Sequence, residues 1–136
     1  MSSLNAFLHP VQGNETEEIV ISKRFRGEDG KPAAFQIRAI TQEENDRIIK
    51  QSQKPVPGGK RGERALDDIE YTRRLVVAAT VEPDFRSEAL CKAYGTLDPL
   101  EVPGKMLLSG EYSRLSAAIS RLSGFGDGDL ESEAKN

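Results

Sequence analysis

A chain of 136 residues with one histidine and one cysteine cannot supply the nitrogen and sulfur ligands of a zinc site, nor close an internal disulfide. Its net charge of −3 repels polyanions unless one face is strongly basic, and 37% hydrophobic against 30% charged residues, without Trp, supports a modest aliphatic core under a solvated surface. No run approaches the roughly 18 apolar residues of a membrane span, and the opening MSSLNAFLHP has neither the basic region nor the apolar core of a signal peptide, so a cytoplasmic chain in a reducing compartment is expected.

Residues 1–16 read as a flexible N-terminal arm in which Phe7, Leu8 and Val11 are the groups able to dock. A single α+β domain is expected over 17–125, opening on a β-hairpin at 17–40 and continuing as a mainly helical part. The first run, Glu18 to Arg26, is rich in β-branched residues. The second, Ala34 to Ile40, puts Phe35, Ile37 and Ala39 on one face and Gln36 and Arg38 on the other. Between them Asp29-Gly30 supplies the positive φ of a tight reversal.

Thr41-Gln-Glu-Glu44 is a capping box, so a helix follows over 41–53 with Ile48 and Ile49 as its narrow apolar stripe. The stretch 54–62 is helix-breaking throughout and reads as a mobile loop. From about Glu63, Leu66, Ile69, Arg73, Val76 and Val77 recur at helical spacing and predict the central core helix, ended by Pro83. Ser87 caps a short turn that Gly95 stops, and Asp98-Pro99 caps another piece that Pro103 and Gly104 break. The last helix runs from about Glu111, with Leu115, Ala118, Ile119 and Leu122 inward and Gly124 as its stop. From 126 to 136 the chain is acidic and glycine-rich, and a disordered tail is expected.

Chemistry finds little to work with. His9 stands beside Pro10 in the arm, without the surrounding packing a general base requires, and Cys91 lies between Leu90 and Lys92 with no histidine near, so it reads as a core thiol. Asp127-Gly-Asp-Leu-Glu131 lacks the remaining ligands and flanking helices of a calcium loop, and Gly58-Gly-Lys-Arg61 lacks the spacing of a phosphate loop. No catalytic, cofactor-binding or metal-ligating residue is assigned, and no cofactor is expected. Lys54, Lys60, Arg61 and Arg64 form one basic cluster, and Lys23, Arg24, Arg26, Lys31 and Arg38 another. The overall charge, and the lack of stacking aromatics apart from Phe25 and Phe35, argue against nucleic acid.

Three ordered blocks resemble a known family. The first is the charged hairpin running into Phe35-Gln-Ile-Arg-Ala-Ile-Thr41 and its Glu-rich helix. The second is Leu75-Val-Val-Ala-Ala-Thr-Val-Glu-Pro-Asp-Phe85, followed by Leu90, Tyr94-Gly95 and Asp98-Pro99. The third is Met106-Leu-Leu-Ser-Gly-Glu-Tyr112, leading through Leu115 to Gly124-Phe125. From about 17 to 125 their order and spacing are similar to those of the XkdN-like tail assembly chaperones of phages and prophages of Gram-positive bacteria. Val102-Pro-Gly104 departs from that pattern by interrupting a helix.

The resemblance implies a non-enzymatic assembly chaperone in the bacterial host cytoplasm. It would coat the long, largely helical tape measure protein until tube subunits polymerise around it, with the major tail tube protein and self-association as further contacts. A structural tail or head–tail joining protein is the alternative reading, and a small nucleic-acid-binding regulator the third. For a partner of amphipathic helices, the candidate contact residues are Ile49, Leu107, Leu108 and Tyr112, each of which equally suits a core position.

Overall fold

The computed structural model describes residues 4–11 and 15–126. A short helix, α1 (Leu4–Leu8), has no buried residue. Strand β1 (Thr16–Ile19) then pairs antiparallel with β2 (Phe35–Arg38), Ile19 opposite Phe35 and Thr16 opposite Arg38. The alternation of the second run is realised: Phe35 and Ile37 are buried while Gln36 and Arg38 are half-exposed. The hairpin is therefore present, but β1 stops well short of Arg26. Val20 to Phe25 leave the sheet so that Ile21 can enter the core, and the reversal at Asp29-Gly30 is a small loop of its own, closed by a bridge between Arg26 and Pro32 with Gly30 at φ 79°.

Arg38 and Glu44 lock the sheet to the first long helix, α2 (Gln42–Gln51), by paired hydrogen bonds of 3.0 and 2.6 Å. Thr41 caps that helix as its sequence requires. Its hydroxyl accepts the Glu44 N–H at 3.2 Å, and the Glu44 carboxylate accepts the Thr41 N–H at 3.1 Å. The Arg38 hydrogen bonds, ahead of those from Thr41, pull the Glu44 pKa down to about 2.

The proline- and glycine-rich stretch is flanked by paired strands, β3 (Gln53–Pro55) and β4 (Arg64–Leu66), which form a separate two-stranded ribbon. Cross-strand pairing thus overrides the helical pattern expected from Glu63, and Leu66 stays 38% exposed. Asp67 opens the helix instead, its carboxylate accepting from the N–H groups of Ile69 and Glu70. That helix, α3 (Asp68–Ala79), buries Leu75, Val76, Val77 and Ala79 while Ile69 and Arg73 face outward. Its end passes directly into β5 (Thr80–Glu82), which pairs with the free side of β2 and makes β2 the middle strand. Three residues carry no readable period of two, and the sequence gives no sign of β5.

Ser87 caps α4 (Glu88–Ala93), and Gly95 at φ 69° follows it. Asp98 starts a 3₁₀ turn, Pro99–Glu101, that runs straight into α5 (Val102–Met106). Pro103 and Gly104 were expected to break this piece, yet they lie inside it: in a first helical turn the N–H that proline lacks has no partner to lose. Helix α6 (Ser109–Leu122) begins ahead of Glu111, whose carboxylate accepts the Leu108 N–H at 2.7 Å. Leu115, Ala118 and Ile119 are buried as the spacing predicts, and Gly124 at φ 96° closes the helix.

Helix α3 is the hub. It packs against α2, α5, α6, the 3₁₀ turn and β5, while α6 crosses β2. Phe85, fully buried, anchors the connection between β5 and α4. The acidic end expected from 126 lies outside the described residues, apart from Gly126.

Candidate partner-binding surface

Two open grooves flank the start of α6. The first lies between α3 and α6, has a volume of about 390 Å³, and is lined by Ile69, Arg73, Gly104, Leu107, Ser109, Tyr112 and Ser113. Leu107 forms its floor at 8% exposure, Tyr112 is half-buried on one wall, and Ile69 on the other keeps 69% of its surface in water. Burial raises the Tyr112 pKa against the opposing field of Arg73, so the phenol is neutral at physiological pH. The result is an apolar trough with one cation and two serines on its rim.

The second groove, about 560 Å³, runs between the segment Val20 to Lys23 and α6, with Leu108, Gly110, Glu111 and Arg114 on the helical side. Beside it Arg24 donates to both carboxylate oxygens of Glu111, at 3.0 and 2.5 Å, and to the Met106 carbonyl at 3.0 Å. Hydrogen bonding from Arg24, ahead of that from Ser22, brings the Glu111 pKa down to about 2. The Arg24 guanidinium also sits 4.8 Å from the centroid of the Phe25 ring. One arginine therefore fixes the β1–β2 connection to the turn between α5 and α6.

Of the four residues singled out for partner contact, the fold brings Leu107 and Tyr112 together in the α3–α6 groove. Leu108 points to the other groove and is 60% exposed, whereas Ile49 is half-buried on α2 and lines neither. Ile69 and Arg73 also line this groove, although helical spacing assigns them to the buried stripe. The corrective signal lies in Asp67-Asp68: a cap there puts Ile69 in the first turn of α3, ahead of the true stripe at Leu75, Val76 and Ala79.

The basic clusters are less free than their sequence suggests, since Arg24 and Arg38 are engaged by Glu111 and Glu44. His9 is exposed in the arm, and Cys91 is buried with its Sγ 3.7 Å from the Phe85 carbonyl oxygen. Among the described residues, no group of three His, Cys, Asp or Glu is placed to hold a metal, and no helix is long and apolar enough to cross a membrane.

Residues 4–135 match the model of a family described as phage XkdN-like tail assembly chaperone proteins. Phage-like element PBSX protein XkdN of Bacillus subtilis (strain 168) is 38% identical, over 96% of this chain and 93% of that protein. Uncharacterized protein YqbN of the same strain is also 38% identical, over 96% and 92%. The crystal structure of YqbN aligns with a TM-score of 0.70 at 32% identity, covering 88% of this chain and 95% of that one.

Proposed function

This chain belongs to the phage XkdN-like tail assembly chaperone family, and from that premise we propose that it binds the tape measure protein in the host cytoplasm and supports assembly of the tail tube around it. The work is non-enzymatic. An amphipathic client helix seats its apolar face in the α3–α6 groove, and the polar rim lets it leave when tube subunits arrive. The observation that carries this reading is Ile69, a large aliphatic side chain left 69% exposed in the groove that Leu107 and Tyr112 also line. A partner's apolar face seated there would take that side chain out of water.

Co-expression with the tape measure protein of the same tail module tests the proposal. The two should co-purify, and the soluble fraction of the tape measure should rise. A tape measure that stays as insoluble as when expressed alone, with no co-purification, refutes it. Recovery of this chain at stoichiometric amounts in finished particles would instead support the structural or head–tail joining role.

A further inference from the structure

The groove between the segment Val20 to Lys23 and α6 has a chemistry of its own. Its apolar lining is aliphatic, with Val20 and Leu108 each more than half exposed. Its rim is cationic. Lys23 and Arg114 line it, Glu111 is already engaged by Arg24, and Arg121 follows seven residues after Arg114 on the same exposed face of α6. Arg114 donates to the Ile21 carbonyl at 3.2 Å, a neutral acceptor, and among the described residues no carboxylate pairs with Lys23, Arg114 or Arg121. Ten residues follow Gly126. Asp127-Gly-Asp-Leu-Glu-Ser-Glu133 sets a carboxylate at every second position around one large apolar residue, Leu130. On an extended backbone this spacing turns Leu130 to one side and Asp129 and Glu131 to the other. A leucine can then enter an apolar hollow while its flanking carboxylates stay at the level of the arginine and lysine heads, in water.

We propose that residues 127–136 run back along α6 of the same chain, Leu130 entering this groove beside Arg114 while the carboxylates on either side of it meet Arg121, Arg114 and Lys23 in turn. The segment is rooted within reach. The Phe125 N–H donates to the Ser120 carbonyl at 2.9 Å, which holds the two Cα atoms within about 7 Å. Ser120 and Arg114 are roughly 10 Å apart on the helix, so Phe125 lies at most about 17 Å from Arg114. Five extended residues carry Leu130 up to about 18 Å from Phe125, and eight carry Glu133 up to about 29 Å. The way between passes over Ala117, which is exposed and offers no obstructing side chain. The helix dipole favours the same direction, since carboxylates gain nothing at the C-terminal end of α6 and are better placed toward its start. A short tether holds its segment at an effective concentration on the order of mM, far above that of a second copy at μM, so the occupant is the chain's own segment.

Amide NMR spectra of the full chain provide the test, with two variants whose substitutions lie outside the folded core. One is Leu130→Ser, and the other neutralises the segment as Asp127→Asn/Asp129→Asn/Glu131→Gln/Glu133→Gln. In both, the signals of Lys23, Gly110, Arg114 and Ala117 should move from their wild-type positions, by the same amount at about 50 and 500 μM protein. A synthetic peptide of residues 126–136, titrated into the neutralised variant, should move these signals back with a Kd of about 1 mM or tighter, the value that occupancy by a tethered segment requires. The same peptide with Leu130→Ser should bind at least about fivefold more weakly. Groove signals that neither variant moves, changes confined to the residues beside Gly126, or a peptide Kd above about 10 mM would each overturn the proposal. Shifts that grow with protein concentration would do so too, by assigning the groove to the segment of a second copy.

Discussion

Replacing Ile69 by Ser probes the proposed client site with little risk to the fold. Burying an isoleucine side chain completely is worth about 1.5–3 kcal/mol, and with 69% of Ile69 still in water, about two-thirds of that remains for a partner to realise. The substitution should therefore weaken client binding by about 1–2 kcal/mol, roughly 5–30-fold in Kd. Stability should hardly change, within about 0.5 kcal/mol, since the side chain packs against little in the free protein and Ser is tolerated in a first helical turn. Calorimetric titration with a soluble helical fragment of the tape measure protein gives Kd, and thermal unfolding gives the control. A Kd within about twofold of wild type in a chain that melts normally would show that the α3–α6 groove is not where the helix sits.

Two further outcomes concern the scaffold. Thr41→Ala removes the cap of α2 and should cost about 1 kcal/mol, lowering Tm by a few degrees, while Ser at the same position should restore most of it; equal melting of wild type and the Ala variant would remove the capping argument. Glu44 and Glu111, both at about 2 in the fold against 4.5 as the ordinary value, contribute stability that is fully present above pH 4.5 and lost as pH falls through 2; denaturant midpoints should be level from about pH 7 to 5 and then decline, and a profile that stays flat down to pH 2 contradicts the two arginine–carboxylate pairs.

Much of the framework is written locally. The Phe35/Ile37 alternation, the Thr41/Glu44 box, the Ser87 and Asp98 caps, and the inward row Leu115, Ala118 and Ile119 all depend on neighbours within a turn or two, and the structure uses each of them so. What the sequence hides is decided by distant partners. β5 exists because β2 offers it an edge, and the β3–β4 ribbon exists because two unremarkable three-residue runs find each other across a turn. The groove was half visible for the same reason. Leu107 and Tyr112 stand in one short block, but Ile69 joins them only through the packing of α3 against α6, and its spacing imitates a core position.

The middle position of β2 has a consequence for synthesis. Its one flank is filled by β1, but the other waits for Thr80–Glu82, and its inner face waits for α6, the last helix of the described chain. The covering of Phe35 and Ile37 is therefore complete only once nearly the whole polypeptide has emerged from the ribosome. Truncation within α6 should accordingly unfold the chain as a whole and not merely trim one surface.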